Sequence, residues 1–597
     1  EFFSLFQKSP PMGGDVRANR LIRRREAGAV PDLAGVHPIL ARVLASRGIS
    51  SADQLELALN RLHPPRALTG IEQAAGHLAD AIEGEARLLV VGDFDADGAT
   101  STALSMRVLK AFGAKDVHYR VPNRFEDGYG LTPEIVAAVR PLGAELLMTV
   151  DNGVSALAGV RAAKDAGMRV VVTDHHLPGA ELPLADALVN PNLPGDVFPS
   201  KNLAGVGVAF YVLSALRAEL GRRGWFERRG MEAPNLARYL DLVALGTVAD
   251  VVPLDHNNRV LVEQGLKRMR AGQAVPGILS LLAVSGRDFR RVVASDLGFG
   301  VGPRLNAAGR MEDMSIGIQC LLAEQPEVAR RLAEELHQLN AARQTVEAEM
   351  QQQAQAHLKQ LNDRLAADDM PRGVCLFDPD WHQGVIGILA SRIKERLHRP
   401  VIAFAPDGNG GIKGSARSIP GLHLRDALEE VDAQNPGLIQ RFGGHAMAAG
   451  LQLPQAHFKD FALAFDEVVR RRVAEEDWQG VLLTDGALVP SEMTFELAET
   501  LRYAQPWGQH MPEPVFDDVF RVRERRPMGQ AGNHWRFMLE HRAGGTPFEA
   551  VMFNTPAAEL PPGDWWRAAY RLDVNEFRGN RRLQLMLEQV EAAPADR

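Results

Sequence analysis

Cysteine is almost missing from this 597-residue chain: Cys320 and Cys375 are its 2 cysteines, far apart and outside any Cys-x-x-Cys pattern. That excludes a disulfide-stapled framework and reads as two reduced core thiols in a cytosolic enzyme. No apolar run approaches the roughly 18 residues a membrane span needs, and no signal peptide is evident, so the expectation is a cytoplasmic protein without a membrane. Internal repeats and low-complexity linkers are lacking too, which leaves a succession of folded domains. A positive balance is also absent, since 67 Lys and Arg face 75 Asp and Glu for a formal charge of −8. The basic residues cluster instead, at Arg20, Arg23, Arg24 and Arg25, at Arg521, Arg523, Arg525 and Arg526, and at Arg578, Arg581 and Arg582; such runs are most often solvated faces. With 46% apolar and 24% charged residues the composition is that of a folded protein, and the length calls for three or four domains.

What is present is acid at the ends of apolar runs. VVGDFDADG carries Asp93, Asp95 and Asp97; VDNG carries Asp151; VVVTDHH carries Asp174, His175 and His176; VADVVPL carries Asp250. Residues 87–91 read as a buried parallel strand and 99–112 as the helix after it, and the same grammar recurs at 145–150, at 168–173 and less cleanly at 242–248. In an open parallel sheet, sites form outside the carboxyl ends of strands, so four strand ends should converge on one crevice. A single Asp after a strand is commonly a cap or turn residue. Carboxylates and imidazoles gathered from separate strands are costly as structure, and a pair of divalent cations is the simplest thing that justifies them.

The segments GDFDADGATS, DNG, TDHH and ADVVPL resemble the motifs of the DHH phosphoesterase superfamily. With GPRLNAAGR, WHQGVIGILASRI, GSARS and RFGGHAMAAG, the chain from about residue 21 onward is similar to that superfamily's RecJ family of bacterial single-strand-specific exonucleases. The resemblance implies a hydrolase that degrades single-stranded DNA from its 5′ end to mononucleotides in recombination and repair, using two divalent cations, Mn2+ or Mg2+. Such cations, roughly 3.5–4 Å apart, bind the scissile phosphate, activate water and stabilise the leaving oxygen. The resemblance places Asp95, Asp97, Asp151, His175 and Asp250 as metal ligands, Asp151 as the bridging one, and Asp93 as a further ligand or a group behind them. It puts His176 at a phosphate oxygen, at the leaving group or in a supporting hydrogen bond. Asp174 is expected to fix the region by hydrogen bonds and not to bind metal.

Specificity for an end has to come from elsewhere. Arg124 in VPNRFEDGYG, and Ser415 with Arg417 in IKGSARS, resemble the family's pocket for the 5′ phosphate, which a guanidinium fork and a hydroxyl suit. Arg304, Asn306 and Arg310 read as a polar, Gly-punctuated loop suited to the scissile phosphate. Gly443 and Gly444 allow close backbone approach to a ligand, with Ala446, Ala448 and Ala449 on one helix face and His445 toward the terminal nucleotide. Trp381, His382 and Gln383 precede an amphipathic helix at 385–397 and are expected near the same ligand.

The expected fold is multidomain α/β: a tail at 1–11, a helical lead-in at 12–75, a parallel-sheet DHH metal-binding domain at 76–325, a connector helix at 326–368, a second α/β DHHA1 domain at 369–476, and a C-terminal β-barrel OB-fold at 477–597. The connector carries Val328, Leu332, Leu336, Leu339, Val346, Met350, Leu358, Leu361 and Leu365 near heptad spacing and would span on the order of 55 Å. From about residue 481 the runs VFDDVFRV, HWRFMLE, FEAVMF, WRAAYRLDV and RLQLMLEQV read as antiparallel strands of a small barrel. Trp535, Trp566 and Phe577 lie among arginines there, either for bases to stack on or as core. The implied partners are single-stranded DNA, a single-strand-binding protein and a RecQ-type helicase, for a monomer in the bacterial cytoplasm at the nucleoid. Two other classes are weighed: a phosphodiesterase of short oligonucleotides or cyclic dinucleotides, which needs no barrel, and a non-catalytic single-strand-binding repair or replication component, which predicts eroded ligands.

Overall fold

Three apolar runs, 88–91, 146–150 and 169–173, are buried on both faces and lie side by side. A computed structural model describes residues 20–595, apart from 27, 29, 32, 34, 125, 126, 128, 129, 365–370, 530, 531, 578 and 579; the expected tail at 1–11 lies outside them. The chain forms two units, one of Ala27–Asn340 with Thr500–Glu513, the other of 20–26, Ala341–Glu499 and 514–595. Among the described residues no helix is long and apolar enough to cross a membrane.

In the first unit a five-stranded sheet runs in the order Val117–Arg120, Leu88–Val91, Leu146–Val150, Arg169–Thr173, Ala187–Val189. Every ladder is parallel, and Val91 pairs with Thr149 and Val150 with Thr173, which levels the carboxyl ends. One face is covered by the cluster of Leu89, Leu131, Ile135, Leu147, Val160, Val170 and Val172. The helices Ala96–Ala111, Gly205–Arg222 and Leu240–Ala249 pack against one another.

Two elements differ from the sequence expectation here. Residues 242–248 are not a strand but part of the helix Leu240–Ala249, in which Leu240 through Thr247 are all buried. A run that is apolar on every side has no period to distinguish helix from strand, and packing among neighbouring helices decided it. GPRLNAAGR is not a loop but the helix Gly302–Met311. Pro303 is harmless in a first turn, and Gly309 is required because an added Cβ would strike the carbonyl of Phe94.

The lead-in is only partly helical. Pro38–Ala45 and Ile71–Glu83 are helices, but Leu21–Arg24 is a strand paired in parallel with Val481–Thr484. Ile22 is buried with Leu482, Val515 and Ala569. The arginine run is largely solvated as expected, with Arg20, Arg23 and Arg24 exposed, but two of its members also find acidic partners: Arg24 donates to buried Asp517 at 3.1 Å and Arg25 lies 3.6 Å from Asp485.

The connector is one helix, Pro326–Arg364, whose Leu332, Leu336, Met350 and Leu358 are buried; its expected end at 365–368 is outside the described residues. In the second unit a five-stranded sheet has the order Arg441–Gly444, Ala448–Pro454, Gly411–Arg417, Val401–Pro406, Val374–Phe377. The segment expected to start a helix, RFGGHAMAAG, is instead a β-hairpin. Gly443 pairs with Gly450 and Gly444 with Ala449, and the N–H of His445 donates to the Ala448 carbonyl at 2.8 Å. Of the small residues that suggested one helix face, Ala446 lies in the turn, and Ala448 and Ala449 open the second strand, where successive side chains point to opposite faces.

The C-terminal strands Phe516–Met528, His534–His541, Phe548–Met552, Asn580–Ala592 and Trp565–Phe577 close a barrel in that order. Four ladders are antiparallel, but Phe548–Met552 and Asn580–Ala592 pair in parallel. A ring of five strands cannot alternate direction all the way round, so one parallel pair is unavoidable. The barrel begins at Phe516 and not near 481, because Val481–Thr484 pairs outside it and the helix Phe495–Tyr503 intervenes. Trp566 is core, edge-on to Phe537 at 5.3 Å; Trp535 is half-buried and donates to the Thr555 carbonyl at 2.9 Å. The Phe577 side chain is outside what is described.

Two outcomes follow from this packing. Trp566→Ala should lower stability by about 3–5 kcal/mol, as removal of a large buried aromatic does, read as an earlier barrel transition in denaturant. Burial pushes Asp517 up, but hydrogen bonds from Arg24, Thr484 and Arg567 outweigh it and hold this carboxyl below its usual range. Its stabilisation is therefore present above the unfolded value of about 3.9 and lost as pH falls through the lowered folded value. Asp517→Asn should remove that component from an acid-unfolding curve.

Candidate metal centre

The levelled strand ends bring Asp93, Asp151 and Asp174 to one edge of the sheet. Asp95 caps the helix Ala96–Ala111, accepting from the Gly98 N–H at 3.0 Å. Asp97, in its first turn, accepts from Gly205 N at 2.6 Å and Val206 N at 2.9 Å, which are otherwise unpaired donors at the start of the helix Gly205–Arg222. Asp151 has left-handed backbone at φ 61, a conformation costing on the order of 1–3 kcal/mol off glycine. It is followed by Asn152, whose Nδ2 donates to the carbonyls of Val91 at 3.1 Å and Val150 at 2.9 Å. Asp250 arrives from the end of a helix and not of a strand, as the C-cap of Leu240–Ala249.

His175 lies among these acids: its Nε2 is 3.1 Å from Asp151 Oδ1, 3.5 Å from Asp250 Oδ2 and 3.8 Å from Asp97 Oδ2. Asp174 turns away, accepting from the N–H groups of His175, His176 and Val154 and from His176 Nδ1 at 2.7 Å. Burial, and then the charge of Asp95, hold Asp93 well above the usual carboxylate range and bring Asp97 to about 7. Burial followed by repulsion from Asp97 and Asp95 raises Asp151 and Asp250 well above it as well. Burial lowers His175 to about 4, whereas for His176 the bond to Asp174 overcomes burial and raises it to about 9.

These residues fit a divalent cation. Asp151 Oδ1 and His175 Nε2 are buried and 3.1 Å apart, yet neither has a hydrogen-bond partner, so the two ligating atoms are close without bonding each other. Among the described residues, ligating atoms gather within 4.8 Å in three sets: Asp93, Asp95 and Asp151; Asp97, His175 and Asp250; Asp151, His175 and His176. Carboxylate oxygen with imidazole nitrogen suits Mn2+ or Mg2+, and positive charge would relieve the repulsion that raises the acids.

The expected phosphate-binding residues fall into two groups. Arg124 stands close to the acids: burial lowers its pKa, the charges of Asp93 and Asp95 partly offset that, its guanidinium lies 4.0 Å from the Phe94 ring, and its Nε donates to Gly309 O at 3.1 Å. Asn306 accepts from the Ala96 N–H at 2.8 Å and so props the ligand-bearing helix, with Arg310 half-buried one turn on. Arg304 is turned elsewhere; its Nη1 donates to Gly300 O at 2.6 Å and its Nε to His337 Nδ1 at 3.1 Å. Ser415, Arg417, Gly443, Gly444 and His445 belong to the second unit. There Arg417 Nη1 donates to Ser415 Oγ at 3.1 Å beside Gly387, and Ala448 of the hairpin pairs with Arg417. Trp381 Nε1 donates to Gln353 and Gln383 Nε2 to Pro406 O.

Two contributors escaped the sequence reading. Asn152 ties neighbouring strand ends, and Gly205 makes room, since a Cβ there would sit 2.5 Å from Asp151 Cβ and Oδ1. The available signal was LAGVGVAF, in which glycine opens an otherwise apolar helix. Gly205→Ala should cost about 10²-fold in turnover, the scale of an ångström-sized misplacement, with the fold intact by circular dichroism. Asp174→Asn, which weakens the hold on both histidines, should reduce Mn2+ affinity by about 10–100-fold in a calorimetric titration.

Residues 87–247 match the DHH family N-terminal domain, 370–471 the DHHA1 domain and 484–589 the RecJ OB domain. The single-stranded-DNA-specific exonuclease RecJ of Escherichia coli (strain K12) is 52% identical over 572 residues, covering 95% of this chain and 98% of that protein. The crystal structure of RecJ in complex with Mn2+ from Thermus thermophilus is 32% identical with a TM-score of 0.76, covering 97% of this chain and 80% of that one. Its Mg2+ complex is 30% identical with a TM-score of 0.72, covering 97% and 78%. With half its residues shared along nearly the full length of such a relative, and with family models for all three of its domains matched, the chain belongs to the RecJ family of the DHH superfamily.

Proposed function

We infer that the chain is a metal-dependent exonuclease specific for single-stranded DNA, releasing 5′-mononucleotides in the 5′-to-3′ direction during recombination and repair. The observation that carries this is the retention of Asp93, Asp95, Asp97, Asp151, His175, His176 and Asp250 in one cluster, in a chain that also keeps the barrel. A non-catalytic relative has no reason to retain that repulsion, and an enzyme of short oligonucleotides or cyclic dinucleotides has no need of the barrel.

Two divalent cations, Mn2+ or Mg2+, would be held by the Asp97, His175, Asp250 set and the Asp93, Asp95, Asp151 set, with Asp151 shared. Bound there they supply an activated water and charge on the phosphate oxygens. The chain's own groups do the positioning. Asp174 keeps the His176 imidazole oriented and protonated, ready to donate to a phosphate oxygen or to the leaving 3′ oxygen. Arg124 and Arg310 take phosphate oxygens near the metals, while Asn306 and Arg304 brace the elements behind them. Ser415, Arg417, Gly443, Gly444 and His445 receive the 5′ phosphate, and the barrel holds the following strand. The domain limits given by the sequence, 76–325, 369–476 and 477–597, assign these tasks in order. The protein acts as a monomer at the nucleoid with single-strand-binding protein and a RecQ-type helicase.

The test is digestion of a long single strand labelled at either end, with Mn2+ or EDTA, by the wild type and by Asp151→Ala. Stepwise release of mononucleotides from the 5′ end, reduced to background by chelation and by the substitution, is expected. Intact long strands with cleaved dinucleotides would favour the small-substrate enzyme, and binding without cleavage the non-catalytic component.

A further inference from the structure

The helix that carries Asn306 and Arg310 is entered through a π-helical turn, Leu297–Val301, of sequence LGFGV. Such turns are rare and frequently sit at functional sites. Its central residue, Phe299, is 81% exposed, while Leu297 and Val301 are buried. Gly298 and Gly300 flank the ring, so no adjacent side chain shields it. One exposed aromatic is ordinary by itself; its surroundings are what give it meaning.

The turn packs on the end of the helix that delivers Asp250. A Cβ on Gly298 would lie 3.4 Å from Val248 Cγ1, and one on Gly302 3.3 Å from Ala249 Cβ. The next residue is Asp250, with its carboxylate 3.5 Å from His175. Val251 then adopts left-handed backbone at φ 59 and leaves its side chain 63% exposed, a conformation that costs a β-branched residue on the order of 1–3 kcal/mol. Two apolar groups are thus held in solvent, each by an uncommon backbone conformation: Val251 directly after Asp250, and Phe299 on a turn packed against the last residues before Asp250. The turn is braced from behind by Arg304, which donates to Gly300 O at 2.6 Å, and Arg287 Cγ lies 3.6 Å from the Cβ position of Gly300. An aromatic ring on a braced turn, with cations close by, is the usual composition of a platform for an unpaired base.

We propose that Phe299 stacks on a base of the DNA strand next to the scissile phosphate, with Val251 extending the apolar surface, and so holds the phosphodiester in register with the metal centre. This rests on the exonuclease reading above. The contact ignores base identity, because every base offers a π-face, and it favours single strands, because a base inside a duplex is already stacked on its neighbours.

The experiment measures kcat/KM of the full chain with Mn2+ on 5′-phosphorylated single strands, either normal or with one abasic residue at successive positions from the 5′ end. Phe299→Ala should reduce kcat/KM on the normal strand about tenfold, within the range that loss of one stacked base gives, and Phe299→Trp should restore it. In the wild type an abasic residue at one position should cost a similar factor, and that cost should vanish in Phe299→Ala, since the two changes remove the same contact. A fluorescent 2-aminopurine at that position should be quenched by the wild type and not by Phe299→Ala. Equal kcat/KM for wild type and Phe299→Ala would overturn the proposal and leave the ring to another role, such as docking a protein. An abasic penalty that persists undiminished in the variant would overturn it too. If the wild type fails to cut the normal strand, it is the exonuclease reading that fails.

Discussion

The structure turns on mutual repulsion among buried carboxylates. Burial is the larger cost for Asp93, Asp97, Asp151 and Asp250, and the charge of neighbouring carboxylates, Asp95 and Asp97 above all, adds to it. The remaining features of the first unit can be understood as what is needed to keep the cluster assembled: the register that levels three strand ends, helix N–H groups aimed at Asp97, the strained backbone of Asp151, and the space left by Gly205.

Division of labour follows from the same constraint. A centre that holds divalent cations cuts any phosphodiester it can reach, so discrimination must lie in groups that are not ligands. Groups of suitable chemistry outside the ligand set are Arg124 beside the acids and exposed Phe299 in the first unit, and Ser415 with Arg417 in the second. Several arginines that look interchangeable in sequence have separate duties. Arg24 neutralises buried Asp517, Arg304 braces a turn, and Arg124 faces the metal ligands.

Much of this was legible in the chain. Alternating carboxylates after an apolar run, a second acid after the next run and a histidine pair after the third announce a metal site, because those residue types are too expensive to bury for structure alone. The three central strands, the long connector and the five barrel strands were legible for a similar reason, since each has a period or a bounded length that one conformation satisfies. The misreadings share a physical cause. Residues 242–248 are apolar on every side, GPRLNAAGR carries glycine and proline that suit a loop or a helix start, and RFGGHAMAAG is small enough for either a helix face or a hairpin. In each, the local sequence allows two conformations of similar cost.

The sequence by itself determined the chemistry: which atoms can bind metal, that strands end just before Asp93, Asp151 and Asp174, and to which family the motifs belong. Tertiary structure decided the partners of each group. It made Asp250 a helix cap, turned Arg304 toward Gly300, joined Leu21–Arg24 to Val481–Thr484, and forced one parallel pair into a five-stranded ring. The physical reason is that a side chain's chemistry is a local property, whereas its neighbours depend on contacts between segments far apart in the chain, which no single stretch of sequence encodes.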